Sequence, residues 1–355
     1  MGIEICWGGG LTGEVVHDIF GFEQIISLSN LFNAWREFKR NKGKRQDVRL
    51  FGFNLEDNLF ALHGELKNGT YQPSAYTSFY IQDPKLRNIH KAVVRDRVVH
   101  QAIFRLIYHI FDRHFIFDSY SCRFNKGIHR GVDRLEKFIR QASQNHSRMV
   151  YVLKCDVKKF FDSIDQEILS DLIKEKIKDG RTISLVQRII ISFEKEKGKG
   201  LPLGNVTSQL FANIYLNGLD QFIKHNLKQK YYVRYCDDFI IVGNKLEDFN
   251  NLIEPINRFL NNQLKLFLHP NKIEIRKVTQ GIDFLGYVIL PHYRVLRTKT
   301  KRRVLARANS QNLNSYLDVL SHCRGYKKKK KIRAIPLVAS AVNPKTQIPC
   351  ASTII

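Results

Sequence analysis

No stretch of this chain approaches about 18 consecutive apolar residues, which argues against a membrane-spanning helix. The N-terminus lacks the basic, apolar and small-residue sections of a secretory signal. Although the chain begins Met-Gly, Cys6 stands where an acylation signal would need Ser or Thr. Cysteine is sparse: the 6 present are scattered at positions 6, 122, 155, 236, 323 and 350, with no C-x-x-C pair. That spacing excludes a zinc ribbon and a disulfide framework, and it suits a reducing cytoplasm. No internal repeat is visible. Acid is also in short supply, with 33 Asp and Glu against 58 Lys and Arg, a net charge of +25. Such a deficit favours a polyanionic partner. Spread over 355 residues it suggests an extended binding channel, although charge alone does not separate RNA, DNA and an anionic membrane.

Residues 1 to about 22 carry scattered glycines and read as an irregular leader. Apolar spacing predicts helices over 31–40, 55–66, 96–115, 166–178, 182–195, 208–224 and 246–264, with a Gly/Lys-rich turn at 195–200. Strands are predicted at 75–81, 149–157, 266–275 and 282–290, and 231–242 reads as a hairpin. A very basic helical region follows Tyr293. Helices and strands in this irregular order favour an α+β class over a doubly wound parallel sheet.

Two acidic features stand out. Asp156 closes the apolar run Met149 to Val157, and Asp237-Asp238 falls at the turn of the 231–242 hairpin with apolar residues on both sides. Singly, an Asp after a strand is often a helix cap and an Asp pair a solvated turn. Carboxylates pressed into an apolar setting repel one another unless a cation neutralises them. Rigid strand ends suit a pair of divalent ions roughly 4 Å apart, as phosphoryl-transfer chemistry requires.

The motifs resemble those of the reverse transcriptase family over roughly residues 45–310. Tyr235-Cys236-Asp237-Asp238 matches the Tyr-x-Asp-Asp box and Asp156-Val157-Lys158-Lys159-Phe160-Phe161 the first carboxylate motif. Residues 87–97 track the fingers motif of group II intron-type enzymes. Residues 119–127 match the motif that follows, and 281–287 the primer grip, all in the family's order. The resemblance implies a right-hand polymerase: an N-terminal extension (1–45), fingers (46–150), a palm (151–293) with a fingers insertion at about 166–200, a basic thumb (294–333) and a tail of unknown role (334–355). It implies a cytoplasmic RNA-directed DNA polymerase with two Mg²⁺ ions, Mn²⁺ being able to substitute. Asp156, Asp237, Asp238 and the backbone oxygen of Val157 would be the metal ligands.

The same resemblance assigns further roles. Phe160 and Phe161 would lie at the nucleotide, with Phe161 under the incoming sugar and excluding a 2′-hydroxyl. Arg95 and Arg97 would reach the triphosphate of the dNTP, a task suited to guanidinium forks. Lys272 would protonate the leaving pyrophosphate. Arg87 and Arg123, with Arg297, Lys301, Arg302 and Arg303 of the thumb, would hold the template RNA and the RNA–DNA duplex through phosphates.

The segment 200–213 departs from the family's usual Leu-Pro-Gln-Gly-x-x-x-Ser-Pro. Leu203 stands for the glutamine before Gly204, and Gln209 for the proline. That variation is similar to the enzymes of diversity-generating retroelements, which copy a template-repeat RNA unfaithfully at adenines alongside a pentameric accessory variability protein. A hydrogen bond discriminates more strongly than a methylene, so losing the glutamine amide should lower fidelity. No maturase, DNA-binding or endonuclease region is recognisable, and little room remains for RNase H, which agrees with this subtype. An antiphage or unclassified bacterial reverse transcriptase is the competing enzyme reading, and an inactive RNA-binding scaffold the competing non-enzyme.

Overall fold

The computed structural model describes residues 21–82, 86–309 and 312–324. Most of the expected leader, the tail at 334–355 and the basic run at 327–331 lie outside the described residues.

The N-terminal helices Phe22–Ile26, Leu28–Lys39, Gln46–Phe53 and Leu55–Lys67 gather around the long helix Val94–Asp112. Ser27 opens the second of them by accepting the Asn30 N–H. That helix then buries Leu31, Ala34, Trp35 and Phe38 at helical spacing. Helix Gln46–Phe53 was not expected from the sequence; only Val48 on it is buried, so its apolar period is weak. Between these helices and Val94 the strands β1 (Thr77–Gln82) and β2 (Leu86–Lys91) form an antiparallel ribbon, largely exposed.

The central sheet has the order β4-β5-β3-β6, from β3 (Tyr151–Asp156), β4 (Tyr232–Tyr235), β5 (Asp238–Gly243) and β6 (Glu274–Lys277), all antiparallel. Both of its faces are covered. Leu153, Cys155, Phe239 and Ile241 join the larger core, with helices Val206–Gln221 and Leu246–Leu264. Val152, Val233, Ile240 and Val242 join a second core, with helix Ile128–Ala142. This explains why residues 239–242 read as an unbroken apolar run: successive side chains point to opposite faces, and each face is buried.

Beyond the central sheet the expected strand at 282–290 is instead two strands, β7 (Ile282–Phe284) and β8 (Tyr287–Leu290). Leu285 (φ 48°) and Gly286 (φ 90°) turn the chain between them, a two-residue loop with both residues in the left-handed region. β9 (Tyr293–Leu296) completes a three-stranded sheet where only helix was expected. Helices Thr298–Arg307 and Leu313–Ser321 follow. The expected strand at 266–275 also breaks, because Pro270 opens a 3-10 turn and only Glu274 onward pairs with β3.

Candidate active site

β3 ends on Asp156 and β5 begins on Asp238, and these two are register partners. Asp237 occupies the loop between β4 and β5, and its carbonyl accepts the Val157 N–H at 3.2 Å. Three carboxylates thus stand at one end of one sheet, although they are separated by some eighty positions in sequence. The loop is tight. Cys236 has φ 57°, a conformation uncommon for residues with a Cβ.

What holds this loop is a group to which sequence reasoning gave no role. Arg234 is fully buried, and its Nε and Nη2 donate to the two carboxylate oxygens of Asp220 at 2.7 and 2.6 Å. Its Nη1 donates to the Asn213 side-chain oxygen at 3.2 Å and to the Cys236 carbonyl at 3.0 Å. Tyr232 donates its hydroxyl to Asp220 at 2.6 Å. Burial works against the Arg234 charge, but Asp220 outweighs it and raises the guanidinium further above its ordinary range. The signal in sequence was an arginine at an inward strand position next to the acidic pair.

The carboxylates are electrostatically frustrated. Burial pushes the Asp238 carboxyl up to about 7, against the pull of Lys154, and the charges of Asp237 and Asp156 add to the rise. Burial and Asp156 raise Asp237 as well. Two lysines answer part of this charge. Lys154 Nζ lies 3.5 Å from Asp238 and donates to the Asp283 carbonyl at 2.7 Å, while Lys272 Nζ lies 2.5 Å from Asp156. Lys272 is delivered there by its turn, since the His269 N–H donates to the Asp156 carbonyl at 2.8 Å and the Lys272 N–H to the His269 carbonyl at 2.9 Å. One oxygen of Asp238 nonetheless remains buried without a hydrogen-bond partner. Hard oxygen donors, excess negative charge and an orphaned buried acceptor form a set that fits a divalent cation.

The other candidates divide. Phe161 is half-buried, and its carbonyl accepts the Leu201 N–H at 2.8 Å. Phe160 is 2% exposed, a core ring packed edge-on to Phe161 and near Tyr215. Leu203 is half-buried, and its carbonyl accepts the His90 N–H of β2 at 3.2 Å. Gly204, at φ 116°, lies so close to β2 that an added Cβ would stand 3.2 Å from Ile89 Cγ2. Gln209 is half-buried on helix Val206–Gln221.

Arg95 pairs with Glu65 at 2.5 Å and lies over the Tyr71 ring, and Arg97 pairs with Asp47 at 2.5 Å. Arg87 is exposed on β2. The Arg123 guanidinium turns inward to Asp112 (2.7 Å) and to the Ile116 and Ser119 carbonyls (2.6 and 3.1 Å). Those bonds consume the fork that a phosphate would need. Arg297 pairs with Asp283. Arg302 is exposed, and Lys301 and Arg303 half-buried, on helix Thr298–Arg307.

Residues 82–289 match the family described as Reverse transcriptase (RNA-dependent DNA polymerase). The chain belongs to the reverse transcriptase family, and it carries an RNA-directed DNA polymerase domain. Among curated relatives, Protein YkfC of Escherichia coli (strain K12) is 26% identical over 277 residues, covering 66% of this chain and 72% of that protein. The group II intron-encoded protein LtrA of Lactococcus lactis subsp. cremoris is 26% identical over 384 aligned residues. That alignment covers 86% of this chain but only 62% of LtrA. Among solved structures, apo telomerase from Candida tropicalis aligns with a TM-score of 0.49 at 13% identity, over 70% of this chain and 52% of that one. The domain implies a divalent metal cofactor in general. Among the described residues no helix is long and apolar enough to cross a membrane.

Proposed function

We propose that this protein copies RNA into DNA with two Mg²⁺ ions held by Asp156, Asp237, Asp238 and the backbone oxygen of Val157, Mn²⁺ being able to substitute. The observation that carries the reading is the orphaned Asp238 oxygen within a cluster of mutually repelling carboxylates at a sheet end. When bound, the ions activate the primer hydroxyl and neutralise the triphosphate. The chain's own residues do the rest. Lys272, beside Asp156, gives a proton to the departing pyrophosphate, and Phe161 closes the space a 2′-hydroxyl would need. Arg95 and Arg97 exchange Glu65 and Asp47 for phosphate oxygens when a dNTP arrives. Arg87, Arg297, Lys301, Arg302 and Arg303 track the template–primer backbone. Primer extension on an RNA template with Mg²⁺ and dNTPs tests this, with Asp237→Asn as the control. A wild-type protein that extends no primer, with its proper RNA and partner supplied, would refute it.

The subtype we propose is the error-prone enzyme of a diversity-generating retroelement, copying a structured template RNA in the cytoplasm with a pentameric accessory variability protein. Leu203 and Gln209 support it. The leucine backbone is bonded to β2, so a glutamine at this position would differ mainly in what its side chain offers the nascent pair. Leu203→Gln should cut misincorporation opposite template adenine, read by sequencing the cDNA. An unchanged error spectrum would remove Leu203 from the explanation.

A further inference from the structure

On the side of the molecule formed by the second core, His129, Asp318 and His322 bring one ligand atom each to within 4.8 Å of one another. His129 lies in the first turn of helix Ile128–Ala142. Asp318 is on helix Leu313–Ser321, and His322 is the residue that closes that helix, four positions on, so the two share a face. The His129 and His322 rings stack at 3.7 Å with their planes 14° apart. His129 Nε2 stands 3.9 Å from one Asp318 oxygen, and His322 Nε2 3.8 Å from the other.

His129 Nε2 faces Asp318, and the Tyr287 hydroxyl stands at the opposite ring nitrogen. The Tyr287 hydroxyl donates its one proton to the Val319 carbonyl at 3.0 Å. Its oxygen therefore accepts from His129 Nδ1–H, 3.2 Å away. In the neutral ring this directs the Nε2 lone pair towards Asp318. A cation between that lone pair and the carboxylate would be held by both. An outer partner on the far ring nitrogen is how proteins orient a histidine ligand.

We infer that His129, Asp318 and His322 form a site for a divalent transition ion of the zinc class, pinning the helix Leu313–Ser321 to the helix Ile128–Ala142. Two imidazole nitrogens and one carboxylate are a borderline donor set, suited to Zn²⁺ or Co²⁺ and poorly suited to Mg²⁺. Three protein ligands leave a fourth position for water. Binding draws the ligand atoms in by roughly 1 Å and tilts the stacked rings. Asp318 is free to follow, its side chain being 66% exposed. The site is separate from the aspartate cluster, and its ion is not the polymerase cofactor.

The test is titration of the EDTA-stripped full chain with Co²⁺, followed by visible absorption. The Asp156→Asn variant is run in parallel to discount binding at the catalytic carboxylates. The expected result is one Co²⁺ per chain with a four-coordinate spectrum, retained in Asp156→Asn and lost in His322→Ala. Asp318→Ala, at an exposed position, serves as the second variant if His322→Ala fails to fold. Tyr287→Phe should weaken binding about ten- to hundredfold by freeing the His129 ring. Zn²⁺ should raise the melting temperature of the wild type and not that of Asp318→Ala. Overturning results would be no four-coordinate Co²⁺ spectrum from the wild type, loss of that spectrum in Asp156→Asn, or its persistence in both ligand variants. A histidine pair stabilised only by protonation would give the first of these.

Discussion

The guanidinium of Arg234 donates to the carbonyl oxygen of Cys236 at 3.0 Å, so a fully buried cation braces the loop that carries Asp237. The same group is satisfied by Asp220 and Asn213, and it ties the loop to helix Val206–Gln221. The left-handed conformation at Cys236 is thereby over-determined by its surroundings.

Replacing this cation should therefore hurt twice. Arg234→Ala leaves Asp220 buried without its counter-ion, which should cost about 3–5 kcal/mol of stability. Arg234→Lys keeps the charge but not the fork, and should reduce kcat more than it raises KM. Urea unfolding and steady-state primer extension measure the two effects. A lysine variant with wild-type kcat would separate the loop's geometry from the arginine.

The Asp238 carboxyl makes stability depend on pH in a definite direction. It holds its proton up to about 7 in the fold and only to about 3.8 when unfolded. The folded state thus binds more protons between these values, and the associated stability is lost as pH rises through them. Asp238→Asn should stabilise the metal-free protein by roughly 1–3 kcal/mol at pH 8 and hardly at all at pH 4. Urea unfolding in EDTA at the two pH values reads this directly. The same variant should lose most of its polymerisation, a trade of activity for stability.

Gly204 is required by both its backbone and its space. Alanine there would strain a φ of 116° and press on Ile89. Gly204→Ala should cost about 1–3 kcal/mol and raise KM for dNTP by displacing the loop from β2. Adding Ile89→Ala relieves the crowding but not the strain, so rescue should be partial. Complete rescue would show that φ is immaterial at this position.

The basic helix Thr298–Arg307 is where salt should report. Lys301→Glu with Arg302→Glu should weaken binding of a template–primer duplex and flatten the dependence of log affinity on log salt by about 1 for each phosphate no longer neutralised. Fluorescence anisotropy at several salt concentrations gives the slope. An unchanged slope would take these side chains off the duplex.

The active-site end of the central sheet was legible in the sequence because its determinants are local. An apolar strand closing on Asp156 and a hairpin turning at Asp237 each declare themselves within about a dozen residues, and both fold as read. Determinants spread along the chain were not legible. The side-chain partners of Arg234 lie 14, 21 and 115 positions away, and nothing near position 234 names them. The turn at Leu285–Gly286 was hidden for another reason, since leucine rarely adopts the left-handed region and the segment reads as one apolar run. Helix Ile128–Ala142 did carry a signal, in Val132, Leu135, Phe138 and Ile139, and the basic residues between them masked it. Burial decided Phe160 and Arg123, and no local pattern distinguishes an aromatic or arginine facing the core from one facing a ligand.

The sheet that presents the three aspartates is covered on both faces, and this sets the order in which the molecule gives way. Amides of Val152, Leu153, Ile240 and Ile241 are paired and buried from both sides, so they exchange their hydrogens only when the whole fold opens. The exposed β1–β2 ribbon has little such protection and opens by local fluctuation. Reactive groups are thus mounted on strands that open only with the whole fold, while the exposed ribbon is left to move.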